Sequence, residues 1–358
     1  MKHKIIYLSI VLCVALAVVV GSVQAQNKRV GTSAAPELLI PVGARDMAMG
    51  GSTIATSTGV EAIHWNPAGL GRLTHSAEGM FSSMTYIADI NVSYGAVGAS
   101  FGDFGVIALS VKTLDFGDIA LTTEDDPENF SGRFFSPTFV TVGLTYARGL
   151  TDAVSFGGTV KIISEQIDRV SATGFAFDMG VQYNRLAGIS GLSLGVAVKN
   201  VGPQMKFDGP GLYRNAVSTD GRRPNQKFKS EAASFELPSV VEIGLAYSGV
   251  AAENLSYTLN GSFTNNNLYL DEYNIGGEIG YSIEGVKLFG RAGMGLVPQA
   301  EKEDSDLLGN TFDGNLFGAT YGVGVNYAAP GIDITVDFAQ RQVEFFGANS
   351  VLSVKFGF

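Results

Sequence analysis

The sequence predicts an all-β protein, a 14-stranded antiparallel transmembrane β-barrel. Three observations predict it: side chains alternate with a period of two over most of the chain, the polar faces carry charges, and the chain ends on an aromatic strand. Of the 358 residues 46 are glycine and only 16% are charged, whereas soluble domains have about 25% charged residues. Because 34 acidic residues outnumber 24 basic ones, we expect no nucleic-acid partner.

The N-terminus predicts a signal peptide over residues 1–25. Two early lysines precede an apolar run at 5–20, and small residues then lead to a cleavage site after Ala25. A transmembrane anchor fits less well, because the run is short and no basic flank follows it. The one cysteine, Cys13, lies in this run, so the mature chain has no cysteine. Removing the two lysines also changes the net charge from −10 to −12.

Alternation of bulky apolar residues with small or polar ones recurs along the mature chain. In residues 175–183 every odd position is bulky and apolar, and every even position is small or polar. This period of two is typical of a strand whose two faces meet different environments. The same pattern occurs at 241–247, 255–260, 321–327 and 332–338.

Two architectures fit these strands: a soluble sandwich and a membrane barrel. The sandwich buries its apolar faces, whereas the barrel turns them to lipid and encloses the polar faces in a wet lumen. The polar faces carry Asp178, Glu242, Glu278, Asp333, Asp337, Lys287 and Arg291. Tyrosines end many apolar faces, as in an aromatic girdle at the membrane surface: Tyr146, Tyr183, Tyr247, Tyr281 and Tyr327. Since charges are costly in a dry core, the pattern favours the barrel.

The last strand and the strand count support the same architecture. Residues 351–358 place Leu352, Val354, Phe356 and Phe358 on one face, and this ending resembles the assembly signal of bacterial outer-membrane barrels, with Phe356 and Phe358 as the terminal aromatics. We predict fourteen strands, an even number as in single-chain bacterial barrels. They lie at 76–87, 90–101, 104–113, 137–149, 153–165, 173–184, 191–200, 237–249, 254–265, 272–284, 286–297, 316–328, 331–341 and 347–358.

The connections between these strands differ in length. Long ones at 114–136, 201–236 and 298–315 alternate with turns of a few residues, which is the arrangement of outer-membrane barrels with long extracellular loops and short periplasmic turns. We therefore expect the long loops to face outward.

Residues 26–75 do not alternate, and we assign them to a separate N-terminal segment before a barrel at 76–358. The segment predicts two short helical pieces and a turn at Asn66-Pro67. It is too short for a domain, but its size suits the mouth of a barrel.

This segment resembles the N-terminal signature of the FadL-like outer-membrane barrels, and in particular of the PorV/PorQ family. The matching residues are Gly43, Ala44, Arg45, Met49, Gly50 and Gly51, followed by Trp65, Asn66, Pro67, Ala68, Gly69 and Leu70. The resemblance implies a fourteen-stranded barrel in the cell outer membrane, with the N-terminal segment lodged in its lumen as a hatch. We expect Trp65 to pack the hatch against the wall.

The resemblance also implies two alternative functions. A type IX secretion accessory would contact the translocon and the C-terminal domains of exported cargo through its outward loops, chiefly 201–236 and 298–315. A FadL-type channel for hydrophobic molecules would need an apolar pocket near the hatch and a gap in the wall. The closeness to the PorV/PorQ signature favours the first function. A lipid A deacylase role, attributed to PorV-like proteins, is a third and more distant alternative.

We predict no catalytic residue, no cofactor and no metal site. After cleavage only His64 and His75 remain to serve a catalytic triad, and His64 is expected to be a packed side chain beside Trp65. Two histidines without a cysteine are a poor transition-metal site. The acidic stretch 301–313 lacks the ligand spacing of a calcium loop, and we interpret it as a solvated loop.

Overall fold

A computed structural model describes residues 31–216, 226–297 and 316–358. Fourteen antiparallel strands close into one barrel in chain order, and the last strand pairs with the first. The fold class predicted from the sequence is therefore confirmed. The predicted signal peptide, 1–25, and the predicted loop 298–315 lie outside the described residues.

All fourteen predicted strands are present, with ends that differ from the prediction by at most three residues. The barrel strands are β1 Ala77–Thr85, β2 Asn91–Ser100, β3 Val106–Asp115, β6 Thr138–Gly149, β7 Val154–Ile167, β8 Val170–Asn184, β9 Leu192–Val201, β14 Val240–Ala252, β15 Leu255–Asn266, β16 Glu272–Ile283, β17 Val286–Leu296, β18 Phe317–Ala329, β19 Ile332–Val343 and β20 Asn349–Gly357.

The apolar faces of the strands point out of the barrel. On β8, Phe175, Phe177 and Met179 are 49%, 46% and 59% exposed, whereas the intervening Ala176 and Asp178 are buried. This is the reverse of a soluble sandwich and matches a wall that faces hydrocarbon. Four of the five girdle tyrosines are exposed and Tyr183 is half-buried, and all five lie near strand ends that lead into short turns.

The strand ending at the C-terminus closes the barrel. β20 pairs with both β1 and β19, and the Phe358 amide donates to the Ala77 carbonyl at 2.9 Å. Phe356 and Phe358 are 38% and 59% exposed on the outer wall. Their role as an assembly signal stays a prediction.

Two long connections contain small sheets of their own. The 114–136 connection pairs β4 Ile119–Ala120 with β5 Phe134–Phe135. The 201–236 connection pairs β10 Met205–Lys206 with β13 Ser234–Phe235, and β11 Tyr213–Ala216 with β12 Gln226–Lys229. Strands of two to four residues are too short to show a period, so the sequence predicted only loops. The rim that carries these sheets is the outward one by its long connections.

Residues 31–75, the described part of the predicted segment 26–75 and called the hatch below, lie inside the barrel and run from the outward rim to the opposite rim. Near its start the Ala34 amide donates to the Glu236 carbonyl at 2.9 Å, and directly after its end the Ser76 amide donates to the Phe358 carbonyl at 2.8 Å. Its helical pieces are the α-helices Ala44–Ala48 and Ala62–Trp65 and the 3₁₀ helices Pro36–Leu39, Gly59–Glu61 and Pro67–Arg72. Among the described residues no helix combines the length and the hydropathy needed to span a membrane.

Candidate functional site

The hatch rests on glycines of the inner wall. At several of them an added Cβ atom would overlap a hatch atom, so only a glycine lets the hatch approach this closely. The seat glycines, with the hatch residue that each one meets, are Gly157 with Pro67, Gly180 with Asn66, Gly195 with Ile54, and Gly276 and Gly293 with Met49. In four of the five contacts the nearest hatch atom belongs to the backbone, which cannot rotate away.

Asn66 is the residue that joins the hatch to the wall most directly. Its side chain is fully buried, and its Nδ2 donates to the carbonyls of Ile54 at 2.9 Å, Val181 at 3.2 Å and Val196 at 3.4 Å. Its Oδ1 accepts from the Ala68 amide at 3.1 Å and thereby caps the helix Pro67–Arg72. The side-chain amide of Asn66 thus forms hydrogen bonds with a hatch turn, a hatch helix and two wall strands.

We expect Asn66→Ala to destabilise the hatch by about 1–3 kcal/mol, the cost of leaving buried polar groups without partners. The measurement is chemical unfolding followed by tryptophan fluorescence, which reports on the hatch alone because Trp65 is the only tryptophan. Asn66→Asp is the matched variant: it keeps the acceptor for the Ala68 amide but loses the donors. An unchanged unfolding midpoint in Asn66→Ala would refute this role.

Trp65 packs closely against Gly51 of the hatch, and the adjacent Gly50 packs against the wall. The indole Nε1 donates to the Val42 carbonyl at 3.1 Å, and the ring is 7% exposed. Gly51 has a φ of 74°, and a Cβ atom at this position would lie 2.8 Å from the Trp65 ring. Gly50 has a φ of 67°, and a Cβ atom there would lie 2.9 Å from the amide nitrogen of Met294 on β17. Met49 and Leu70 are fully buried. Trp65 therefore packs within the hatch, and its role in packing the hatch against the wall stays a prediction.

A chain of charges holds the helix Ala44–Ala48 to the wall. The Arg45 guanidinium lies 3.0 Å from the Asp46 carboxylate and 3.2 Å from Glu278 of β16. Arg291 of β17 continues the chain at 2.5 Å from Glu278 and 2.6 Å from Asp337 of β19. The Ala44 amide adds a hydrogen bond of 2.8 Å to the Ser353 hydroxyl of β20. Arg45 and Ala44 of the signature therefore contact β16 and β20 directly, and the ion pairs of Arg291 extend the chain to β17 and β19.

The wall contributes a second anchor that the sequence analysis missed. A β-bulge places Lys199 and Asn200 of β9 opposite Asp178 of β8, so both side chains point inward. Asn200 adopts a φ of 60°, and its amide donates to the Asp178 carboxylate at 2.8 Å. The sequence signals this bulge by an interruption of the alternation, because the outward-facing Val198 and Val201 are three residues apart rather than two.

The bulge directs Lys199 at the hatch. Its ammonium lies 2.8 Å from the Glu242 carboxylate of β14, donates to the His64 carbonyl at 3.3 Å and lies 5.9 Å from the centre of the Trp65 ring. Bulges often redirect a side chain in this way.

Cavities lie on both sides of the hatch, and charged side chains take part in the lining of each. The outward cavity, about 140 Å³, includes Trp65, Lys199, Glu242 and Arg341 in its lining. Two cavities on the opposite side, about 320 Å³ and 400 Å³, share Arg45 and Arg72. An apolar hollow of about 420 Å³ lies instead on the outer wall, around Val97, Leu109 and Phe358.

The first residues of the hatch form an arm that packs near the outward rim. Ala34 and Leu38 pack with wall residues such as Ile163, and the Ala35 amide donates to the Glu165 carboxylate at 3.1 Å. The Glu37 carboxyl is 2% exposed. Burial, reinforced by the charge of Glu165, raises the pKa of Glu37 to about 8. At neutral pH this carboxyl is therefore mostly protonated.

We expect the hatch to lose stability as the pH rises. Because the pKa of Glu37 is about 8 in the folded protein against 4.5 normally, the folded state holds the extra proton, and its stabilisation is lost as the pH rises through that window. Burial, with the charge of Asp46, likewise raises the pKa of Glu61 to about 8. The Trp65 unfolding midpoint should fall from pH 6 to pH 9, and Glu37→Gln should reduce that fall. A fall of the same size in the variant would contradict this assignment.

Comparison with known proteins identifies the family. A family model described as "Type IX secretion system protein PorV" matches residues 23–223, more than half of the chain. No curated protein matches it. Among solved structures, the toluene transporter TodX of P. putida is 13% identical with a TM-score of 0.52, and the match covers 88% of this chain and 98% of that one. The toluene transporter TbuX of Ralstonia pickettii is 14% identical with a TM-score of 0.51, with the same coverage.

These findings confirm the resemblance to the PorV/PorQ family, and the two transporters confirm the FadL-like barrel fold. The exposed apolar band places the protein in the outer membrane, in contact with its lipid. The chain belongs to the PorV family of type IX secretion system proteins.

Proposed function

We propose that the protein is a non-enzymatic accessory of type IX secretion, which engages exported cargo or the translocon through its outward loops. Family membership supports the secretion role. The outward rim supports the loops as the working surface, because its small sheets present large apolar side chains to solvent. Phe130 and Phe134 of the 114–136 loop are 90% and 58% exposed, and Tyr213 and Phe228 of the 201–236 loop are 48% and 47% exposed. Exposed aromatic residues of this kind are typical anchors of protein interfaces.

The two loops also differ in charge. The 114–136 loop carries six acidic residues and one basic residue, Arg133. The 201–236 loop carries six basic residues and four acidic ones, and Lys229 pairs with Asp208 within it at 2.5 Å. Opposite charge on the two loops would orient a partner and speed its approach.

The non-enzymatic part of the proposal is supported by the surroundings of His64. Its ring packs edge-on against Trp65 with 5.1 Å between centres. Burial, with the charges of Lys112, Lys199 and Lys161, lowers the pKa of His64 well below its ordinary value. A base surrounded by lysines is poorly suited to accept a proton.

The division of the chain into a hatch at 26–75 and a barrel at 76–358 is part of this proposal, as is the role of the twelve signature residues in holding the hatch. Both are supported by the seat glycines, by Asn66 and by Arg45. On this proposal the hatch is a fixed plug, and the partners bind outside the lumen.

The hydrophobic-channel alternative has less support. A hydrophobic ligand needs an apolar cavity, whereas the cavities beside the hatch are lined by ion pairs such as Lys199–Glu242 and Arg291–Asp337. The likeness to toluene transporters concerns the fold.

The test is a pull-down from outer-membrane detergent extract, with mass spectrometry of the partners. One variant replaces 210–229 by a short Gly-Ser linker, a second carries Phe130→Ser, and Leu150→Ser in a short turn is the control. We expect translocon or cargo domains with the wild type and the control, and their loss from the loop variants, while all four proteins keep the heat-modifiable band of a folded barrel. A wild type that carries only lipid, or loop variants that keep every partner, would refute the proposal.

A further inference from the structure

Lys112 is a buried lysine without a carboxylate partner among the described residues. It lies on β3 with its side chain inside the barrel and is 5% exposed. Its ammonium donates to the Ile40 carbonyl of the hatch at 3.0 Å. Within the described residues it forms no ion pair, whereas Lys161 and Lys199 are paired with Asp178 and Glu242. A buried ammonium without a counter-charge is unfavourable.

The acidic groups near Lys112 do not supply that charge. Glu37 is close enough to interact with it, but burial raises the pKa of Glu37 to about 8, so this carboxyl is mostly neutral at pH 7. Asp178 already pairs with Lys161 at 2.5 Å and accepts from the Asn200 amide.

A small cavity of about 30 Å³ lies beside Lys112, between the hatch and the wall. Its lining includes Ile63 and His64 from the hatch, and Tyr94 and Thr141 from the wall. A space of this size holds one or two particles as large as a water molecule. Because hatch residues form part of its lining, the cavity exists only while the hatch is seated.

The polar groups around this cavity are mainly donors. Tyr94 and Thr141 are 4% and 6% exposed. Among the described residues the Thr141 hydroxyl has no hydrogen-bond partner, and the Tyr94 hydroxyl interacts with the Ser110 hydroxyl. Lys112 has two further N–H donors and no acceptor. A buried hydroxyl without a partner is rare in proteins, and the Thr141 hydroxyl beside an unpaired lysine indicates a ligand that accepts hydrogen bonds and carries negative charge.

We propose that this cavity binds one small monovalent anion of the size of chloride, held by Lys112, Tyr94 and Thr141 between the hatch and the wall. The anion supplies the missing counter-charge and accepts the hydroxyl hydrogen bonds, which a neutral water does only in part. Since the site is complete only with the hatch in place, the anion stabilises the seated hatch. Sulfate is too large for the cavity.

Halide dependence of hatch stability tests the proposal. Purified protein in detergent is unfolded at constant ionic strength in chloride, bromide, sulfate or gluconate, and Trp65 fluorescence reports the midpoint. We expect chloride and bromide to stabilise the hatch, with each tenfold increase above the dissociation constant multiplying the folding equilibrium constant by about ten. Sulfate and gluconate should have no such effect.

Three variants locate the site. Lys112→Met should abolish the halide dependence, and Thr141→Val, which keeps the lysine, should weaken it. Lys287→Met is the matched control, because Lys287 is an exposed lysine of the cavity on the opposite side, and it should respond to halides as the wild type does. Crystals soaked in bromide should show an anomalous peak beside Lys112 in the wild type. Equal stability in all four salts, full halide dependence in Lys112→Met, or no bromide peak at this position would overturn the proposal.

Discussion

Replacing Gly293 by valine is expected to dislodge the hatch, whereas the same replacement at Gly290 on the same strand should leave it in place. A Cβ at Gly293 would overlap the backbone of Met49, while at Gly290 it would meet nothing within 4 Å. Forcing atoms into a packed core costs about 1–3 kcal/mol and occasionally more. We expect the upper part of this range or beyond it, because backbone atoms of the hatch cannot move aside singly.

Two measurements follow the hatch in these variants. Trp65 fluorescence should shift to the red in Gly293→Val as the ring becomes exposed, and single-channel conductance in planar bilayers should rise as the lumen opens. Gly290→Val should match the wild type in both. If the two variants behaved alike, the seat glycines would not be what positions the hatch.

Arg45→Met is expected to destabilise the hatch by about 3–5 kcal/mol, the cost of removing one partner from a buried ion pair. Arg45 is the hatch residue that joins Asp46 to Glu278. Without it Asp46, which is fully buried, keeps only the hydroxyl of Ser57 as a side-chain partner, whereas Glu278 keeps Arg291.

The double variant Arg45→Met/Asp46→Asn tests this explanation. Because it removes the unpaired charge, it should recover part of the lost stability in the same Trp65 unfolding experiment. A double variant that is less stable than Arg45→Met would mean that the Arg45 contacts matter through packing and not through charge.

The sequence predicted the barrel closely because the period of two is imposed locally. Each strand meets lipid on one face and the lumen on the other, so residues such as Phe175 and Asp178 reveal their surroundings without knowledge of the rest of the fold. The bulge at Lys199 was missed, since one extra residue interrupts the alternation only once. The small sheets of the outward loops were missed because their strands are too short to establish a period.

The contacts of the hatch were beyond sequence reasoning for a different reason. Asn66 bonds to carbonyls of Val181 and Val196, more than 100 residues further along the chain, and Met49 meets Gly276 and Gly293. The pattern of the signature residues resembled a known family, but partners so distant in sequence follow only from the closed barrel. The same holds for Lys112, whose lack of a carboxylate partner is visible only once the fold is known.

On the proposed function, the hatch stays seated while partners bind outside the lumen. Two engineered disulfides, both at position 353, test whether the hatch must move. The Ser353 hydroxyl accepts a hydrogen bond from the hatch amide of Ala44 at 2.8 Å and donates one to the hydroxyl of Ser82 in the wall at 3.1 Å. Ala44→Cys/Ser353→Cys would lock the hatch to the wall, and Ser82→Cys/Ser353→Cys would join two wall strands and leave the hatch free. The chain's one native cysteine, Cys13, lies in the predicted signal peptide and would not interfere.

The deciding measurement is cargo secretion by cells in which one of the two oxidised disulfide variants, the hatch lock (Ala44→Cys/Ser353→Cys) or the wall lock (Ser82→Cys/Ser353→Cys), replaces the wild-type protein. We predict that the hatch lock and the wall lock both secrete cargo at the wild-type level. Secretion that is abolished by the hatch lock alone, and restored when its disulfide is reduced, would show that the hatch must move and would contradict this account.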